Sequence, residues 1–428
     1  MGQLIDELAE HRAPERAGRA GVRLRQAERR QVAMEMASLD ELLEPDHRAR
    51  LVWDLVGTFD FQPLLERIAV RDNTSGHPHT DPRILTALWL YGTLDGVGSA
   101  RALERLCVAH LAYRWICGGV GVNHHTLSDF RVSHADWLDR QLVRGIAGLL
   151  LGGQISLETV AQDGLRVRAS AAAASFRREK RLREFERLAR ERVAQLKARL
   201  QQPPTAPRRA AAAARAAADR LARVQEALAK LDAERARKRR NGGKPEETRV
   251  STTDAEARVM KMADGGFRPA YNVQFCATAD HALVVGVSLG CSGADQDALV
   301  PLQAKIARDY GQAPVHVLAD GGFVSGAGIE ALAAGGSDVH MPLPTGPRAP
   351  QGASAAMVAW RARMASAAGQ ARYRRRGQII ELVNAQVRNC GLYAVTVRGQ
   401  AKVRAVALWH ALAHNMRCLF RRPELRPA

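Results

Sequence analysis

Cysteine is scarce and scattered in this chain. The six present (Cys107, Cys117, Cys276, Cys291, Cys390, Cys418) include no CxxC pair, which argues against a disulfide framework and a zinc ribbon and suits a reducing cytoplasm. Long apolar runs are missing too, since none approaches the roughly 18–20 residues of a membrane span. The opening "MGQLIDELAEHR" does not read as a signal peptide. Acidic residues are in deficit: 44 against 63 lysines and arginines, a formal net charge of +19. Such a surplus suits a polyanionic partner, nucleic acid before an anionic membrane. What is present is ample apolar material, 46% of 428 residues. That is enough for a real interior and too long for one ordinary core, so two or three domains are expected.

Residues 1 to about 150 read as helical. "LDELLEPDHRARLVWDLVGTFDFQPLLERI" carries spaced apolar positions, and "DPRILTALWLYGTLDGVGSARALERLC" opens on an Asp-Pro start signal. "VNHHTLSDFRVSHADWLDRQLVRGIAGLL" adds a further helix pair. Short helices joined by glycine-containing turns could be a helix-turn-helix DNA reader, with "HHTLSDFR" opening a recognition helix, or a plain helical bundle.

Composition then changes. From Phe176 to Val250 there are 23 basic and 10 acidic residues, +13 of the chain's +19. Leu182, Phe185 and Leu188, then Val193, Leu196 and Leu200, mark an apolar seam. "QQPPTAPRR" breaks it, and Leu221, Val224, Leu228 and Leu231 resume it. That pattern predicts an antiparallel coiled-coil hairpin around a Pro-Pro turn. The arginine excess favours phosphate contact over a merely soluble spacer.

Around this insertion lies a β-rich pattern. "ETVAQDGLRVRA" reads as a strand with a sharp Asp-Gly, and "AYNVQFCAT" with "HALVVGVSLG" reads as a hairpin joined by "ADH". "DQDALVPLQAKIARDYG" is a helix, with Asp295 and Asp297 as expected caps. "APVHVLADGGF" is a buried strand ending at Asp320, "SGAGIEALAAGG" a helix, and "SDVHMPLP" a short strand. "RRRGQIIELVNAQVRN" and "VRAVALWHALAHNMRCLFRR" supply the last helices. The order is β-β-β-α-β-α-β-α-α, with one long helical insertion after the first strand.

Asp163 and Asp320 stand where ligand sites gather in open α/β sheets, and each precedes a glycine. Glu381 sits at the shoulder of the Ile380, Val383, Val387 stripe rather than opposite it. Two aspartates and a helix-borne glutamate make a hard, oxygen-rich set suited to magnesium or manganese, and two such ions support phosphodiester chemistry. Each acid alone has a blander reading, a turn signal or a snorkelling surface carboxylate. His410 and His414 in "WHALAHN" share a helix face but lack the intervening glutamate and third ligand of a zinc site. Asp254, Asp264 and Tyr271 have no position that sequence can assign.

The chain resembles bacterial insertion-sequence transposases of the DDE class. "EPDHRARLVWDLV", "DPRILTALWLYGTLDGVGSARALERLCVAHLAYRWICGG" and "HHTLSDFR" resemble the family's N-terminal helical domain. "QDGLRVRASAA", "DAEARVMK", "YNVQFCATADHALVVG", "VLADGGF" and "YRRRGQIIELVNAQVRN" resemble successive blocks of its catalytic domain. The resemblance implies an α/β, ribonuclease-H-like mixed sheet over 153–428, interrupted by a coiled-coil insertion at 176–248 and preceded by a helical DNA-binding domain at 1–152. It implies Asp163, Asp320 and Glu381 as the catalytic, metal-binding triad for two Mg2+ (or Mn2+) ions. Tyr373, Arg376 and Arg388 take the places of the family's Tyr, Arg and Lys-or-Arg around the glutamate. Here Arg replaces the more usual Lys at 388, and Arg376 lies one residue further from Glu381 than the commonest spacing. The expected partners are double-stranded DNA, both element ends and target, and a second copy of the chain in a dimer or higher complex. The expected setting is the bacterial cytoplasm, on the nucleoid. The alternatives are a catalytically dead descendant that only binds DNA, or a metal-dependent nuclease that cuts without joining.

Overall fold

The computed structural model describes residues 38–68, 78–200, 207–240, 242–290, 293, 295–344 and 352–425. The opening dodecapeptide, Cys291 and most of the Pro-Pro turn lie outside those residues.

The first helices begin where side chains can satisfy their free N–H groups. The imidazole of His47 caps α1 (Arg48–Gly57), and α2 is the short Gln62–Leu65. Asp81 accepts from the Arg83 N–H at 2.7 Å and Pro82 occupies the first turn, so the Asp-Pro signal starts α3 (Pro82–Leu94) as expected. Ser99 caps α4 (Ala100–Ala109) and His110 caps α5 (Leu111–Cys117), which Gly118 ends in the left-handed region. Asn123 caps α6 (His124–Ser133), and α7 (Ala135–Leu151) leads to the sheet.

The sheet has β1 (Thr159–Arg168) at its centre. On one side β1 pairs antiparallel with β5 (Phe267–Thr278), whose far edge carries β4 (Arg258–Lys261) and β6 (Val284–Gly290). On the other side β1 pairs parallel with β7 (His316–Leu318), and β7 pairs parallel with β8 (Asp338–His340). Asp163-Gly164 is therefore no turn. The two residues sit mid-strand, opposite Phe275 and Gln274, because nine consecutive pairs with β5 hold β1 extended.

Side chains alternate across a strand, so β1 serves two cores. Ala161, Leu165 and Val167 join Tyr271, Val273 and Phe275 on one face. That face is covered by α3, by α14 (Leu382–Asn389) and by α15 (Gln400–Arg421), with Trp89 and Trp409 fully buried. The other face meets α10 (Leu299–Tyr310), α11 (Gly326–Ala334) and α12 (Ala355–Ala365), through Leu302, Ile306, Ile329 and Trp360. Before α14 come α13 (Ala367–Arg376) and one π-helical turn, Gly377–Glu381.

The insertion is a helical hairpin, α8 (Glu179–Leu200) and α9 (Pro207–Arg240). At its base β2 (Phe176–Arg177) pairs antiparallel with β3 (Val250–Ser251). The salt bridge from Arg235 to Glu179, late in one helix and first in the other, fixes the antiparallel sense. Among the described side chains its seam differs from expectation at Leu188, which is exposed while Ala189 is buried, and at Leu228, which is only partly buried while Ala227 is fully so; the Leu200 side chain lies outside them. Leu182, Ala189 and Leu196 follow a seven-residue spacing, which carries position 188 off the contact line.

Candidate active site

Alternation turns Asp163 toward the helices α13–α14. Its Oδ2 accepts from Asn384 Nδ2 at 3.0 Å and lies 3.7 Å from Arg376 Nη1. Arg376 Nη2 in turn bonds Glu381 Oε1 at 2.8 Å. One guanidinium thus bridges two of the three expected acids. The π turn explains how. In an α-helix the residues on one face are four apart, whereas a π turn brings residues five apart together. Arg376 and Glu381 are five apart, so the π turn absorbs the extra residue noted in the sequence. Ile380, Val383 and Val387 are buried on the sheet as their spacing predicted, while Glu381 stays exposed beside them.

Asp320 comes in from the neighbouring strand. The β1–β7 register matches Ala161 with Leu318, so two residues further on Asp320 stands level with Asp163. It ends the strand by accepting the Gly322 N–H at 2.7 Å, starting a short 3-10 turn at Gly321–Phe323. Burial pushes the Asp163 carboxyl up to about 6; Arg376 opposes this, and the charges of Asp320 and Asp295 add to it. Burial of this mid-strand carboxyl, more than the neighbouring acids, therefore sets the direction of its shift. Among the described residues, no three histidine, cysteine or acidic side chains stand close enough together to hold a metal ion.

Asp295 is where the sequence reading erred. The N-terminal residue of α10 is capped by no side chain. Asp295 turns to the sheet instead, accepting from Asn272 Nδ2 at 2.6 Å and Gln274 Nε2 at 2.8 Å. Gly164 makes room for it: a Cβ there would lie 2.5–2.6 Å from Gln274, Asn272 and Asp295 atoms. Asn384 was also missed, though it follows Glu381 by three residues, one helical turn, and that spacing was a usable signal.

The remaining candidates fall elsewhere. Arg388 is exposed. Tyr373 packs half-buried against the second core. Tyr271 donates to both oxygens of Asp254 at 2.7 and 2.8 Å in the interior, and Asp264 pairs with Arg268 at the surface. His410 and His414 are core residues of α15, held neutral by burial at about 3 and about 4. His414 donates through Nε2 to the Ala282 carbonyl at 2.8 Å, bracing the turn where Ala282 has φ +54°. On α6, Arg131 turns inward, donating to the Gly98 carbonyl and stacking 4.6 Å from the Trp89 ring centre. Only His125, Ser128 and Asp129 of "HHTLSDFR" face solvent fully.

Comparison with known families defines the class first. Residues 37–133 match a transposase domain family (DUF772), and residues 231–416 match the transposase DDE domain family. Both are domains of DNA transposases, and the DDE domain is that of a phosphoryl-transfer enzyme. The chain belongs to the insertion-sequence transposases of the DDE class. The second match contains Asp320 and Glu381 and begins downstream of Asp163. No curated protein and no solved structure matches the chain. No helix among the described residues is long and apolar enough to cross a membrane.

Proposed function

We propose that this transposase cleaves the ends of its insertion sequence and joins the freed 3′-hydroxyls to target DNA, with Asp163, Asp320 and Glu381 as its catalytic acids. The observation that carries the reading is the bridge Asp163–Arg376–Glu381 with Asp320 level with Asp163 on the next strand. The strand order β6-β5-β1-β7-β8, with only β5 running against its neighbours, supports a ribonuclease-H-like catalytic fold.

The three candidate acids offer oxygen donors alone, which suit hard divalent cations. Arg376 Nη1 is buried without a hydrogen-bond acceptor, so toward Asp163 the guanidinium serves as a charge, while its Nη2 donates to Glu381. Two magnesium or manganese ions, when bound, would polarise the scissile phosphate and lower the pKa of the attacking water or 3′-hydroxyl. Asn384 holds the Asp163 carboxylate in orientation, and Arg376 neutralises Asp163 and Glu381 until a cation does. Arg388, seven residues past Glu381 and exposed, reaches the DNA backbone beside the acids. Paired element ends call for a dimer or higher assembly on DNA. The test is strand joining: a pre-cut duplex of the element's end, incubated with target plasmid and Mg2+, should become covalently attached. Cutting without any joined product would leave a nuclease, and neither activity a DNA-binding remnant.

A further inference from the structure

Six of the fifteen arginines in the two hairpin helices are already taken. Arg181, Arg183, Arg187, Arg190, Arg235 and Arg237 pair with glutamates of the hairpin itself. The sequence surplus is therefore not a uniform phosphate-binding surface. In the middle of α9 the situation reverses. Arg220 and Arg223 of α9 and Arg398, from the loop before α15, line one cavity of about 340 Å³ with Thr252 and Thr253. None of the three arginines makes an ion pair with a described carboxylate, and no acid lines the cavity. The nearby Glu256 is engaged by Lys230 and by the Gln400 N–H.

The loop bearing Arg398 is fixed, not loose. The Gly399 N–H donates to Asp254, and the Val395 N–H donates to the Arg168 carbonyl at 2.9 Å, at the end of β1. Arg220 and Arg223, three apart, share a face of α9, and like charges so placed are mildly destabilising without an anion between them. Three guanidiniums from two separate elements form a phosphate-binding set, with Thr253 beside them and the Thr252 hydroxyl donated to the Ser175 carbonyl.

We infer that this cavity binds the backbone of the DNA on which the candidate active site acts; the assignment rests on the DNA-transposase reading. Its Arg398 lies three residues after Val395, whose N–H is bonded to Arg168 at the end of β1. Five residues of strand, about 17 Å, separate Asp163 from Arg168. That is about half a turn of B-DNA, the scale on which one duplex would have to run from the acids to the strand end that the Arg398 loop is tied to. The hairpin's role becomes local: it carries two arginines to the sheet's edge.

The probe is a fluorescein-labelled duplex of about three helical turns, titrated with the full chain across a salt series. Removing one arginine–phosphate pair should flatten the slope of log affinity against log salt by about 0.9. Arg223→Ala/Arg398→Ala should therefore flatten it by about 1.8 and weaken binding at least tenfold at low salt. Arg223→Lys/Arg398→Lys should keep the slope, which separates lost charge from lost folding. Arg187→Ala, on the shaft, should match the wild type. If wild type binds and the alanine pair binds with the same slope and affinity, the cavity is not a DNA site. A lysine pair whose slope flattens as much as that of the alanine pair would equally overturn the assignment. If wild type itself fails to bind duplex DNA, the transposase reading fails first.

Discussion

Replacing Asp163 by asparagine should stabilise this protein at neutral pH while destroying its proposed chemistry. The carboxyl is raised from 3.8 to about 6 by burial and by two neighbouring acids. A carboxylate whose folded pKa lies above its unfolded one opposes folding wherever it must ionise. The penalty is complete above about pH 6 and vanishes below about pH 3.8. A shift of about two units corresponds to about 3 kcal/mol at pH 7.5. The side chain is one-fifth exposed, and screening there reduces the expected gain to about 1.5–3 kcal/mol. Asparagine keeps the shape and can still accept from Asn384, so little is lost in exchange. Thermal or denaturant melts of wild type and Asp163→Asn should separate in the variant's favour at pH 7.5, with about half the difference left at pH 5. A variant no more stable than wild type at pH 7.5 would refute the burial penalty assigned to the Asp163 carboxylate.

Other outcomes follow from the same geometry. Arg388→Ala should weaken binding to a pre-cut end and slow joining by roughly 1.5–3 kcal/mol, with Arg388→Lys recovering part; equal end affinity and joining rates for arginine and alanine would remove Arg388 from the interface. Because Ser175 and Thr252 are hydrogen-bonded neighbours at the hairpin base, replacing residues 176–248 by a short Gly/Ser linker should leave the sheet folded, read as an unchanged near-ultraviolet spectrum, but weaken DNA binding. Neutral His410 and His414, with pKa values depressed to about 3 and about 4, favour the fold fully above about pH 6.5. Below that the unfolded chain takes up their protons, and stability should fall by up to about 1.4 kcal/mol per pH unit for each histidine. A His410→Leu/His414→Gln protein should show a shallower acid limb in a pH series of melts.

Much of this architecture was legible because it follows local rules. Asp81-Pro82 started a helix, the Ile380–Val387 spacing chose the buried face, and the apolar seam announced the hairpin. What escaped was long-range. Asp163-Gly164 looked like a turn because Asp-Gly is a local turn signal, yet nine consecutive pairs with β5 override it. Gly164 serves a different end, letting Asp295, 131 positions away in sequence, lie over the strand. Asp295 looked like a helix cap because nothing local told of its amide partners Asn272 and Gln274. The odd spacing of Arg376 could be counted in the sequence, but only the π turn gave it a physical meaning. Arginine composition overstated the hairpin's free charge, since i,i+3 and i,i+4 glutamates neutralise much of the shaft.

The most direct test of the central assignment is Mg2+-dependent cleavage of a plasmid carrying the DNA that flanks the gene on both sides. Wild type should be compared with Asp163→Asn, Asp320→Asn and Glu381→Gln, all checked for folding and duplex binding. Each variant should bind DNA as wild type does and release no cut product. Wild-type cleavage by any one of them would take that carboxylate out of the active site.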